Sequence, residues 1–332
     1  MSDSQIGKRI VILGGGTAGW ITANAMINSW ADKGYEITLI ESPEVGTVGV
    51  GEGSTPRMKI FFDSIGVQES EWMPRCNATY KNGISFANWS TRPGFDRYFH
   101  PFSSQLDRYT KTAFYFNTYA RRMGIDVHAH PNRFFLAAKL SENRQAPRPN
   151  ENFPFIVEYG YHFDAKLVGD FLKERAKSLG VRHIEAKIVD VRQSADGNIT
   201  KLLSDAEETI EGDFFVDCSG FRGALIQKTM GVWFRSFAEN LFNDSAVVLP
   251  TEPRDEIGSQ TVSTALKNGW VWEIPLTHRI GNGYVYSSSF CSSDEAEFEL
   301  RTHLGLLDKD IEAKHLKMKV GRVEEHWHKN CL

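Results

Sequence analysis

Two tryptophans and a proline stand in the run Trp270-Val271-Trp272-Glu273-Ile274-Pro275. Residues two apart on a strand point to one face, so this run predicts two indoles side by side. Such a pair is a large, stiff, apolar wall, suited to a core or to a cavity that excludes water. Pro275 ends the run, because proline cannot donate to a ladder. A second set of residues could hold a dinucleotide. Gly14, Gly16 and Gly19 fit G-x-G-x-x-G, with Thr17 and Ala18 filling the turn. The first glycine of that pattern permits a tight turn. The second lets backbone approach a pyrophosphate, and the third lets helix pack on strand. The helix N-terminus then faces the phosphates. Glu41 stands at the end of the next strand, where a carboxylate accepts hydrogen bonds from a ribose diol and repels a 2′-phosphate.

A third set is the glycine-dense loop Val48-Gly49-Val50-Gly51-Glu52-Gly53-Ser54-Thr55-Pro56. Its glycines let backbone N–H groups lie against a flat, polar ring system, with Val50, Gly51 and Glu52 as the contacts. This favours a flavin over a nicotinamide. Asp217-Cys218-Ser219-Gly220 also resembles a flavoprotein segment near the cofactor.

The elements that position these residues follow from hydrophobic spacing. Arg9 to Leu13 reads as a buried parallel strand, Ile21 to Trp30 as a helix, and Glu36 to Ile40 as a second strand, together a βαβ unit. Pro56 to Ile65 and Thr110 to Met123 have helical spacing. Asn82 to Trp89 and Arg97 to Phe102 read as aromatic strands. Ser141 to Asn152 reads as an exposed loop. Phe163 to Leu179 is an amphipathic helix closed by Gly180. Val181 to Ile199 reads as paired strands turning at Asp196-Gly197. Phe214 to Cys218 is a buried strand, strand signals dominate from Ser245 to Phe290, and Glu295 to Leu304 is a charged helix. Trp327 to Leu332 reads as the start of a strand, with no turn or tail after it.

These pieces imply an α/β protein. A discontinuous FAD-binding domain of the GxGxxG type is expected over 1–80, 151–230 and 315–332. An inserted antiparallel β-rich, substrate-side domain is expected over 81–150 and 231–314. The 332 residues suffice for two domains. Hydrophobic content of 41% and charged content of 24% are those of a globular protein. A net charge of −4 and the lack of a basic run argue against nucleic acid. No apolar stretch approaches the roughly 18–20 residues that span a membrane. The first residues carry no charged and apolar leader pattern, so a cytoplasmic protein is expected. Cys76, Cys218, Cys291 and Cys331 are far apart, so neither a disulfide nor a metal site is expected.

Taken together, the chain resembles the flavin-dependent halogenases of the tryptophan-halogenase type. The resemblance runs from Ile10 to Leu332. It rests on Gly14-x-Gly16-x-x-Gly19, Gly49-Val50-Gly51-Glu52, Cys76-Asn77-Ala78-Thr79-Tyr80-Lys81, His100-Pro101-Phe102 and Trp270-x-Trp272-x-Ile274-Pro275. It implies that FAD, supplied as FADH2 by a separate flavin reductase, uses O2 to oxidise a halide. The resulting hypohalous acid passes through a tunnel to a lysine beside an electron-rich aromatic substrate such as indole or tryptophan. Lys81 matches that lysine. An amine in a dry pocket can bind the oxidant or carry the halogen, and burial favours a neutral amine. On composition alone Lys81 is one of 38 basic residues. Trp270 and Trp272 match the wall between flavin and substrate, and His100 and Phe102 match substrate-side positions, Phe102 as a stacking ring. The family's halide-binding and carboxylate-bearing segments fall beyond Leu332. A homodimer stays open.

Other readings compete. A flavin monooxygenase would hydroxylate the same substrate without halide. A flavoprotein electron carrier would form no oxygen-dependent product. A nicotinamide dehydrogenase has no need of the tryptophan wall, and the chain has no second glycine fingerprint.

Overall fold

A computed structural model describes residues 8–46 and 49–332. The first seven residues, read above as leaderless, and Val48 of the glycine loop lie outside the described residues. The chain forms two compact units. One takes in the chain up to Gly49, with residues 165–241 and 318–332. The other takes in residues 50–164 and 242–317.

The first unit is built on a four-stranded parallel sheet in the order Phe214–Asp217, Arg9–Leu13, Glu36–Glu41, Arg182–Glu185. Apolar residues from these strands, Val11, Ile40, Ile184 and Phe215, join Cys331 in one cluster. Helix Thr17–Trp30 crosses from the first strand to the second, as the βαβ reading expects. It packs on helix Ala165–Ser178, where the buried Asn24 donates to the Leu172 carbonyl at 2.8 Å. The segment from Val181 divides differently from the sequence reading. Arg182–Glu185 joins the parallel sheet, because Ile184 is needed in the core. The hairpin is instead Ile188–Gln193 with Ile199–Ser204, and Gly197 takes the left-handed conformation its turn requires (φ +80°). The last residues form no strand but only an isolated parallel bridge from Cys331 to Phe215, where Phe215 N–H donates to Asn330 O and Leu332 N–H to Phe215 O.

The second unit carries a seven-stranded sheet. Its order is Lys314–Lys317, Ser245–Thr251, Ile280–Tyr286, Gly269–Pro275, Thr261–Ala265, Gly83–Ala87, Arg97–Pro101. All pairs are antiparallel except Thr261–Ala265 with Gly83–Ala87. Val271 of the tryptophan strand enters the core with Val247, Leu249 and Tyr284, so the two indoles lie on its other face. Helix Ser293–Leu304 closes that core through Ala296 and Leu300, opened by a Ser292–Glu295 capping box.

A smaller sheet in the same unit was not expected. Glu52–Gly53 and Thr79–Lys81 flank Gly160–Phe163, both antiparallel. The helix read from Phe163 starts only at Ala165. Alternation explains the strand. On one face Tyr161 meets Trp72 edge-on at 4.9 Å, and the hydroxyls of Tyr80, Tyr159 and Tyr161 all donate to the Glu69 carboxylate. On the other face stand Thr79, Lys81 and His162, all buried. The expected loop from Ser141 also begins differently: helix Leu136–Glu142 reaches into it, and Ser141 is buried.

Candidate functional site

Lys81 is a charged side chain that this fold hides. Only 5% of its surface is exposed. Among the described residues no hydrogen bond or ion pair holds its ammonium. Its one recorded partner is the Phe102 ring, whose centroid lies 5.7 Å from Nζ. Phe102 is kept there by its own N–H, which donates to the Asn82 carbonyl two strands' turn away at 3.1 Å. Burial alone lowers the Lys81 pKa from 10.5 to about 8, because a desolvated ammonium has no counter-charge to recover the lost hydration.

Gly53 provides the room. A Cβ at position 53 would stand 2.9 Å from Lys81 Nζ, 3.3 Å from Thr261 Oγ1 and 3.5 Å from the His162 ring. Three side chains from three strands thus converge on one glycine. His162 is fully buried between two threonines. Its Nδ1 lies 3.0 Å from Thr79 Oγ1 and its Nε2 lies 2.9 Å from Thr261 Oγ1. Thr79 in turn donates to the Pro275 carbonyl at 2.7 Å. The proline that closes the tryptophan strand therefore anchors this network. Burial holds the His162 pKa well below 6.5, and the charge of Lys81 pushes the same way.

The tryptophan pair has the expected geometry. Trp270 and Trp272 share a face, with ring centroids 6.2 Å apart, and Trp89 extends the aromatic row to Trp270. The Trp272 indole lies on Gly283, where any Cβ would collide with it. Its Nε1 is buried without a partner among the described residues. His100 lies exposed on strand Arg97–Pro101, opposite Ile84.

In the first unit the glycine fingerprint takes the form that dinucleotide binding needs. Gly14 has φ +120°, and a Cβ there would collide with the Cys218 carbonyl. A Cβ at Gly19 would collide with the Gly14 carbonyl, so helix and turn touch backbone to backbone. Gly16 faces open space at the start of helix Thr17–Trp30. No side chain caps that N-terminus and no acid stands in its first turn, so its N–H groups are left for an anion. Ala18 is exposed beside it, while Thr17 Oγ1 donates to Ala165 O. Glu41 Oε1 accepts from Lys173 at 2.6 Å and from His183 at 2.8 Å, while Oε2 lies against Gly15. Glu41, His183 and Glu185 converge closely enough for a metal ion, but the Lys173 ammonium already lies against both carboxylates. Asp217 caps the helical turn after it, accepting from Leu225 and Ile226 N–H.

The remaining glycine-loop residues belong to the second unit. Gly51 has φ +87° and packs against Gly281, and Val50 N–H donates to Glu52. His162 and Thr261 are absent from the sequence reading, and Thr79 and Gly53 enter it only inside longer motifs. The period-two pattern Tyr159, Tyr161, Phe163, with His162 facing the other way, is the signal that marks the strand of His162.

The desolvation of Lys81 has a measurable sign. Between pH 8 and 10.5 the unfolded chain binds more protons than the folded one, so stability rises with pH across that window. Below it the fold bears the whole cost, about 3 kcal/mol. Lys81→Met should therefore stabilise the protein at pH 7 by up to that amount, and the gain should shrink as pH rises through the window. Urea denaturation at pH 7 and 10.5 reads this directly. A variant less stable than wild type at pH 7 would contradict it.

A family model described as tryptophan halogenase matches residues 9–332. Tryptophan 6-halogenase SttH of Streptomyces toxytricini is 37% identical over 350 residues, covering 98% of this chain and 66% of that protein. Tryptophan 7-halogenase RebH of Lentzea aerocolonigenes is 35% identical over 342 residues, covering 98% of this chain and 64% of that protein. The structure of BrvH, a flavin-dependent halogenase from Brevundimonas sp. BAL3, matches with a TM-score of 0.85 and 34% identity, covering 98% of this chain and 66% of that one. The chain thus spans just under two thirds of the length of these relatives.

Proposed function

The chain belongs to the tryptophan halogenase family, and from that premise we propose that it halogenates an electron-rich aromatic of the indole or tryptophan class. The observation that carries this reading is a lysine at the matching position that is buried, unpaired and shifted toward neutrality. A solvated surface lysine would be neither buried nor shifted.

The residues of the first unit fit the ADP half of FAD. Gly14, Gly16, Thr17, Ala18 and Gly19 would hold the pyrophosphate, with N–H groups of the helix start as donors. Glu41 would take the ribose through Oε2, with Lys173 and His183 fixing its other oxygen. Val50, Gly51 and Glu52 are proposed as further cofactor residues in the second unit. A bound flavin, reduced by a separate cytoplasmic reductase, would supply the oxidation of halide by O2. Lys81 then does what the chain itself must do: it presents an amine, in a setting poor in competing hydrogen bonds, to the resulting hypohalous acid. Near pH 8 about half of the molecules carry it as the neutral amine and half as ammonium. Phe102 would stack against the substrate ring, and Trp270 and Trp272 would bar direct contact between substrate and oxidising centre.

Two variants test the two halves. Gly16 has φ −71° and nothing near its Cβ, so Gly16→Val should fold normally yet crowd the pyrophosphate. Its FAD affinity, read by fluorescence titration, should fall by at least about tenfold; an unchanged affinity would refute the ADP assignment.

Lys81→Ala should leave FADH2 oxidation intact and remove the halogenated product. The assay supplies FADH2 from any flavin reductase with bromide and indole or tryptophan, and mass spectrometry identifies the product. Halogenation by the alanine variant near the wild-type rate would remove Lys81 from the chemistry. A hydroxylated product, independent of halide, would point to the monooxygenase reading instead.

A further inference from the structure

The Glu41 carboxylate sits in a seat that the fingerprint alone does not explain. Glu41 ends its strand directly opposite Glu185 on the neighbouring parallel strand. Two like charges at that spacing repel. The Lys173 ammonium answers both, donating to Glu41 Oε1 at 2.6 Å and to Glu185 Oε1 at 3.3 Å. His183 gives the same Glu41 oxygen a second donor. A carboxylate only accepts, so Nε2 carries the ring proton that meets Oε1 at 2.8 Å. Both donors are braced by the buried Trp20, whose ring centroid lies 5.3 Å from that of His183 and 5.9 Å from Lys173 Nζ. Oε1 is thus spent inside the protein. Among the described residues no hydrogen bond reaches Oε2.

Gly15 forms the remaining side. It is the free position between the first two glycines of the fingerprint, where the pattern asks for no particular residue. Its φ lies outside the left-handed region, so its backbone does not require glycine. Glu41 requires it: a Cβ at position 15 would overlap Oε2, Cδ and Cβ of that side chain. Oε2 therefore occupies the space over the fingerprint turn.

We infer that Gly15 and Lys173 are positioning residues for Glu41: Lys173 holds the carboxylate beside Glu185 and fills Oε1, and Gly15 leaves the space in which Oε2 alone is presented to a ribose hydroxyl of an adenosine diphosphate. The inference rests on the reading of Glu41 as the ribose acceptor. Its consequence is selectivity rather than bulk affinity. The pyrophosphate would be met by N–H groups at the start of helix Thr17–Trp30, and these stay in place when either residue is changed. A displaced Glu41 forfeits only the contact to the hydroxyl.

Competition against FAD on the full chain tests this, with ADP, 2′-deoxy-ADP and 3′-deoxy-ADP as the probes. Wild type should prefer ADP to one of the deoxy analogues by about tenfold, the effect of one hydrogen bond to a charged group. In Gly15→Ala and in Lys173→Met that preference should fall to about twofold or less, with affinity for the deoxy analogue unchanged. Lys173→Arg can still bridge two carboxylates and should keep the preference. Lys173→Met decides the matter if Gly15→Ala does not fold. A preference retained in Lys173→Met, or in a folded Gly15→Ala, would overturn the inference. So would an equal loss of affinity for ADP and the deoxy analogue, which would mean that the two residues only support the fold. A wild type that does not tell ADP from either analogue would instead refute the ribose role of Glu41 itself, so the two failures are distinguishable.

Discussion

Placing an ammonium out of water with no carboxylate beside it is the constraint on which the second unit is organised. The chain does so at Lys81, at a cost that burial makes plain in the shifted pKa. Everything around it is consistent with keeping the site uncompensated. Gly53 gives the amine space, Phe102 offers a ring face in place of an anion, and His162 is held neutral beside it. Acids are present in the same unit, but they are spent elsewhere. Glu69 is bound by three tyrosine hydroxyls on the opposite face, and Glu273 is gripped by Arg254. A carboxylate paired with Lys81 would restore an ordinary cation and remove the property that the proposed chemistry uses.

The first unit meets a different constraint with the same economy of side chains. Phosphate recognition there depends on backbone, so the sequence spends glycines where a Cβ would collide or would fill the approach. Gly14 and Gly19 are required by contact, Gly16 by the ligand it would admit. The distinction matters physically, because only the last can be changed without disturbing the fold.

Local features were legible in the sequence and non-local ones were not. The βαβ unit, its fingerprint and Glu41 are consecutive elements with strong periodicity, and they stand where the spacing implies. The shared face of Trp270 and Trp272 follows from strand geometry alone. By contrast, the burial of Lys81 depends on strands at residues 52–53, 79–81 and 160–163, which are separated by long stretches of chain. Two of these strands are three residues or fewer, too short to show a pattern, and of the third only Phe163 enters the sequence reading, as the start of the helix that follows. The same limit applies to Arg182–Glu185, whose parallel pairing with Glu36–Glu41 has no local signature. The family resemblance, not periodicity, brought Lys81 forward, while His100 from the same resemblance lies exposed on its strand.

The account turns on one amine being near neutrality at physiological pH. Direct titration of Lys81 settles that most simply, using protein labelled with ¹³C at lysine Cε and Lys81→Ala to assign the resonance. The account predicts a midpoint of about 8, well separated from the other lysines. A midpoint at the ordinary lysine value of about 10.5 would contradict it.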